Sequence, residues 1–341
     1  MLKNRRLNRR TILLWGLAST APSVLWATVV YGLYAYANFM FLRIPFLPIA
    51  TIGTAVAFYV GFKNNAAYER FWEGRKIWGG VVNSSRAFAT GVMSYVDPGE
   101  QTPATHATQT VLIHRHLAWV NALRVQLRKT SRFHNKPARG TKRRLEQHAE
   151  HMRNDWDTEV APFLSPEEFR EFSAKVNPAT HMVVRQGTQM AELVHEGRLD
   201  MFRQLELMSI LNELYDLQGK CERIKNTPFP RQYAEFSKIF TSVFVFLVPL
   251  GMLDVFADWI DLAKAWETWA LALPMVAASG LVCWVFKTME GIGDSSEDPF
   301  ERSMNDVPMN ALAIAIERDL RQILGETEIP EPEQAIDGIL Y

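Results

Sequence analysis

The chain offers few residues whose type and spacing could do chemistry. Glu146, His148 and His151 lie close together in LEQHAEHMR. Two histidines three apart share a helix face, but no nearby third ligand of defined spacing completes a metal site, and a solvated helix surface accounts for them. His114 and His116, two apart, point to different faces. Five carboxylates, Asp294, Glu297, Asp298, Glu301 and Asp306, are strung along one late segment. Clustered carboxylates suit Ca²⁺, but these are spaced out, and a turn with helix caps explains them. Cys221 and Cys283 have no CxxC partner and read as buried free thiols. No GxSxG, P-loop, GxGxxG or HExxH occurs. The sequence therefore predicts no enzyme, no cofactor and no metal.

Composition narrows the classes further. Across 341 residues, 37 basic residues balance 37 acidic ones, so no global field recruits nucleic acid. The short basic run Lys142-Arg143-Arg144 reads as a solvated face. The 48% hydrophobic content is ordinary in amount but strongly segregated along the chain. Thr11 to Leu42 carries no charge and follows the basic MLKNRRLNRR; Ile44 to Phe62 is again uncharged. Further apolar runs cover Ile239 to Leu253 and Thr268 to Phe286. Four membrane spans are expected, with an outer turn at Arg43 to Pro48. Basic residues before the first span, and Lys63, Arg70, Arg75 and Lys76 after the second, place both termini in the cytoplasm. The loop holding Asp254, Asp258, Asp261 and Glu267 against Lys264 is then outside. Several of the ten Trp residues lie near the ends of these runs, as membrane-interface belts require.

The organising stretch is Leu47 to Ala89. It starts uncharged, gains charges from Lys63 onward, and shows no turn signal before Gly79-Gly80. One helix leaving an apolar medium for water is expected. Gly53, Ala57 and Gly61 form a small-residue face, suited to close approach of helix backbones. Thr54, Phe58 and Phe62 form the neighbouring stripe. On spacing alone these Phe side chains read first as lipid-facing, since apolar helices carry Phe freely. With several copies around an axis, one stripe could make the contacts and the other could line the axis.

Between Lys63 and about Lys238 the pattern is soluble and helical, with helices expected at 66–95, 105–131, 143–156, 166–175, 180–196 and 201–224. Loops are expected at Asp97-Pro98-Gly99, Asn135 to Gly140 and Ser165-Pro166. The division is 1–63 membrane, 64–235 cytoplasmic, 236–290 membrane and 291–341 a C-terminal cytoplasmic segment. After Gly325 the acidic, Pro-containing ETEIPEPEQAIDG reads as an extended arm that could wrap a neighbour.

Three stretches in order, GFKNNAAYERFWEGRKIWG, CERIKNTPFP and EDPFERSMNDVPM, resemble the bestrophin family in its bacterial branch. The resemblance implies an all-α, homopentameric channel in the bacterial inner membrane, with one central pore for chloride or other monovalent ions. It matches Thr54, Phe58 and Phe62 to the family's narrow neck. Thr54 departs from the larger apolar residue usual there, and its hydroxyl should widen and wet that end. A second, cytoplasmic aperture falls at Leu205 when counted back from Cys221. Counted forward from Glu196-Gly197-Arg198, it falls about two residues earlier, and Leu205 could equally be helix core. The late carboxylates follow the bacterial pattern and not a dense acidic clasp, so calcium gating is not expected. Anion conduction is the expectation. The alternatives are a cation-selective channel of the same fold, as in some bacterial members, and a membrane-anchored scaffold or sensor.

Overall fold

A computed structural model of the protein describes residues 9–99, 102–129, 152–262, 268–301, 303, 305–336 and 338–341. Glu146, His148 and His151, the loop 135–140, the run 142–144 and most of the helix expected at 143–156 lie outside them. The described residues are helical and contain no strand. In chain order the helices are α1 (Arg9–Ala35), α2 (Phe46–Tyr95), α3 (Pro103–Arg128), α4 (Trp156–Val160), α5 (Pro166–Ser173), α6 (Pro178–His195), α7 (Met201–Asn226), α8 (Arg231–Leu262), α9 (Thr268–Ser296) and α10 (Met309–Leu324). The described residues divide into two compact units, one within 9–69 and 229–297, the other within 70–228 and 298–341.

The first unit holds α1, the start of α2, α8 and α9. Three stretches, Met40–Tyr95, Arg231–Ile260 and Ala272–Ser296, are long and apolar enough to cross a membrane. The first expected span falls on α1, which runs unbroken through Pro22. Pro249 and Pro274 likewise lie inside α8 and α9, as membrane helices tolerate. Beyond the third apolar run α8 continues through Asp254 to Leu262, and Asp254 has partners. Its carboxylate meets Arg43 Nε at 2.9 Å and accepts from the Phe46 backbone N–H at 3.1 Å. An acid from another helix thus caps the N-terminus of α2, where the helix dipole favours negative charge. Trp26 lies deep in its run, stacks on Phe246 at 4.8 Å and donates to its carbonyl at 3.0 Å.

In the second unit, α3 is buried on nearly all sides and carries Leu112, Leu117, Trp119 and Leu123 into the core with Leu207, Leu211 and Leu214 of α7. Side-chain caps start several helices: Thr102 for α3, Ser165 for α5, Asn177 for α6 and Asp200 for α7. Gly80, inside α2, admits Leu217, whose Cδ2 lies 2.8 Å from where a Cβ would stand. The sequence reading has no counterpart of α10. Its buried Met309, Ala313, Ile316, Leu320 and Leu324 recur at three and four, and Gly325 ends it in the left-handed conformation. The segment beyond Gly325 is extended but returns to its own chain: Ala311 N–H donates to the Tyr341 carbonyl at 3.0 Å, and Ile339 and Tyr341 pack on Met152.

His114, His116 and Cys221 take structural places. His114 Nε2 meets Glu326 Oε1 at 2.6 Å. His116 is stacked between Phe88 and Trp119, with Ser85 Oγ at 2.8 Å, and burial pushes its pKa down to about 3. Burial pushes the Cys221 thiol up, as suits an inert core group. The late carboxylates are taken up by cations: Asp294 by Lys238 at 2.9 Å, Asp298 by Arg70 at 3.8 Å and Glu301 by Lys225 at 2.7 Å.

Asp306 differs. It is buried, Ser303 Oγ donates to its Oδ1, and Oδ2 has no hydrogen-bond partner among the described residues. Desolvation lifts its pKa from 3.8 to about 6. A carboxyl whose folded pKa exceeds its unfolded one favours the folded state when protonated. Stability is then lost as pH rises from about 4 through about 6. Asp306→Asn should remove that slope and stabilise the protein at pH 7 by on the order of 2–3 kcal/mol. Thermal unfolding of both proteins between pH 4.5 and 7.5 checks this. His116 contributes the opposite slope in both, so the difference isolates Asp306, and parallel profiles would refute the assignment.

Candidate functional site

Thr54, Phe58 and Phe62 sit on one face of α2, four residues apart, and all three are exposed. Phe58 is 66% exposed and Phe62 69%, whereas Val56 and Val60 on the opposite side are buried against Phe244, Val248 and Cys283. The same helix segment therefore has a packed face and a bare aromatic one. Two neighbouring Phe side chains this open call for an apolar partner or a role in an assembly. The Thr54 hydroxyl donates to the Ala50 carbonyl at 3.0 Å, so its proton is engaged within the helix and only its lone pairs remain to meet water.

The small-residue stripe does not act as one face. Gly53 is buried within the chain: a Cβ there would come within 2.6 Å of the Phe244 ring. Gly61 is exposed with nothing within 4 Å of the same position. Gly53 thus serves the approach of α2 and α8 inside one chain, while Gly61 is left open.

Lys63, read in the sequence as an inner-side charge, is fully buried. Its ammonium meets Glu290 Oε1 at 2.7 Å, and Ser237 Oγ donates to Glu290 Oε2 at 2.6 Å. Asn64 Nδ2 donates to the Met289 carbonyl at 2.9 Å. These bonds tie α2, just past Phe62, to α8 and α9, and so fix the rotation of the helix that presents the two Phe. No local signal could reveal Glu290, which stands 227 positions away.

Leu205 lies in the other unit, on α7, and is 62% exposed beside the exposed Met201 and Phe202. The core positions of LELMSILNEL are Leu207, Leu211 and Leu214, so Leu205 is not helix core. Two residues earlier stands Arg203, bonded to Glu206 at 3.0 Å with its guanidinium 4.7 Å from the Tyr95 ring centre. Among the described residues no group of three potential metal ligands comes together.

The comparisons with known proteins agree on the class. The chain is 26% identical to the voltage-dependent anion channel-forming protein RSc3414 of Ralstonia nicotianae, over 86% of this chain and 82% of that one. It is 29% identical to a protein of the same description from Mesorhizobium japonicum, over 82% and 75%. The crystal structure of a bacterial bestrophin homolog from Klebsiella pneumoniae superposes with a TM-score of 0.73 at 23% identity, covering 92% of this chain and 99% of that chain. The family description "Bacterial/Fungal Bestrophin protein" matches residues 7–322. An all-α chain with apolar spanning helices and a match over nearly its whole length belongs to the bacterial and fungal bestrophin family.

Proposed function

We propose that this chain assembles as a homopentamer in the bacterial inner membrane and conducts monovalent anions, chloride foremost, through a single axial pore. Phe58 and Phe62 of each copy form the neck, Thr54 its outer end, and Leu205 the cytoplasmic aperture. The carrying observation is the pair of open Phe side chains on a helix whose opposite face is packed, in a chain of this family. Residues 64–235 and 291–341 form the cytoplasmic part, and both termini lie inside. The names of the relatives, voltage-dependent anion channel-forming proteins, support the anion reading. The mechanism needs no covalent chemistry. An apolar constriction gates by dewetting, and aromatic edges present partial positive charge to a passing anion.

The test is a bilayer recording of purified protein under a threefold KCl gradient, on a sample whose mass in detergent has been measured. A pentamer reversing near the chloride equilibrium potential is the expected result. Reversal near the potassium potential would make it a cation channel of the same fold. A pentamer without current, equally silent as Phe58→Ala, would favour a scaffold.

A further inference from the structure

The bare face of α2 continues past Phe62. At about 100° per residue, Asn65 and Glu69 lie within about 20° of Phe58 around the helix, one on each side. Both are exposed, and Asn65 Nδ2 donates to Glu69 Oε1 at 2.9 Å, holding the carboxylate against this face. The neighbouring cations are engaged elsewhere, Lys63 by Glu290 and Arg70 by Asp298. Among the described residues the Glu69 carboxylate has no ion-pair partner. From Phe62 to Glu69 the only other charge is the buried Lys63, so Glu69 is the first exposed charge beyond the Phe pair.

We propose that Glu69 opposes anion entry at the inner mouth of the neck and so limits the channel's anion selectivity. This rests on the reading of Phe58 and Phe62 as the neck. The neck offers a passing anion only the partial charge of its aromatic edges, so a full charge in the first ring beside it shifts that preference. Repeated in every copy, Glu69 forms a carboxylate ring about 10 Å beyond Phe62 along the helix. It concentrates cations at the inner mouth of the neck and opposes anions there. Glu69 is thus a brake on anion passage, and removing it shifts selectivity the same way whichever ion carries more of the wild-type current.

The experiment measures reversal potential under a threefold KCl gradient for the full-length wild type, Glu69→Gln and Glu69→Lys, with single-channel conductance of Phe62→Ala alongside. Glu69→Gln keeps the acceptor that Asn65 uses and loses only the charge. It should move the reversal potential toward that of chloride, raising the chloride-to-potassium permeability ratio about threefold, and Glu69→Lys should move it further. The gap between wild type and Glu69→Gln should shrink from about 0.1 M to 1 M salt, as screening shortens from about 10 Å to 3 Å. Unchanged reversal in both variants, with conductance altered in Phe62→Ala, overturns the assignment of Glu69 and leaves the neck standing. If Phe62→Ala is also without effect, the neck reading and this proposal fall together.

Discussion

Phe58→Ala combined with Phe62→Ala is expected to raise single-channel conductance by several-fold, up to about tenfold, without changing the number of subunits. Tenfold corresponds to about 1.4 kcal/mol off the barrier to passage, a modest demand on aromatic side chains that, in the proposed assembly, hold water out of a constriction. The same substitution should leave stability nearly untouched. Truncating a buried Phe costs about 3–5 kcal/mol, but both side chains are two-thirds exposed within the chain. The control is Val60→Ala, one turn away on the buried side among Phe244, Val248 and Cys283. It should lower the unfolding temperature and leave conductance alone. If the two Phe residues face lipid, the double variant conducts as wild type does. That outcome, from an intact assembly, would remove α2's bare face from the pore.

The features of α2 that were legible in the sequence share a cause. A helix records its neighbours in the residue types on each face, and the absence of turn signals before Gly79 recorded its continuity. The structure accordingly gives one helix of 50 residues, with Thr54, Phe58 and Phe62 on a single open stripe. Small residues are less explicit, because a glycine announces close approach without naming what approaches. Gly53 receives Phe244 of its own chain, where the spacing suggested another copy. Lys63 shows the same limit for charge. Its position marks a boundary between apolar and polar surroundings, but its partners, Glu290 and through it Ser237, belong to distant helices. Asp254 ends an apolar run in the sequence and caps a different helix in the structure. The helix α10 was legible in principle, since Met309, Ala313, Ile316, Leu320 and Leu324 carry the helical period and Gly325 its stop. The carboxylates just before it drew attention to turns and metal instead. Leu205 could be narrowed only by burial: neighbouring leucines fill the core and it does not.

Arg124→Met should be among the most destabilising single changes in the chain, by about 3–5 kcal/mol. The guanidinium is almost wholly buried on α3 and every face of its fork is used. Nη1 donates to the Arg153 carbonyl at 2.7 Å and to Asn310 Oδ1 at 2.8 Å; Nη2 donates to Asn121 Oδ1 at 2.9 Å and to Glu159 Oε2. One side chain therefore joins α3, α4 with the segment just before it, and the start of α10, three elements well apart in sequence. Methionine fills similar volume but leaves Glu159 buried with Arg153, at 3.0 Å, as the one remaining cation opposite it among the described residues, and strips the two asparagine oxygens of a donor. Unmade hydrogen bonds to buried acceptors cost about 1–3 kcal/mol each, and these costs overlap. In a unit of this size the loss corresponds to roughly 10 °C in unfolding temperature. Arg124→Lys, a compact ammonium that cannot make the fork, should fall between wild type and Arg124→Met. Adding Glu159→Leu to Arg124→Met removes the uncompensated charge and should recover about half the loss, because the asparagines still lack their donor. Full recovery would assign the whole effect to the stranded carboxylate. An Arg124→Met protein unfolding within 1–2 °C of wild type would mean that apolar packing alone holds these helices together.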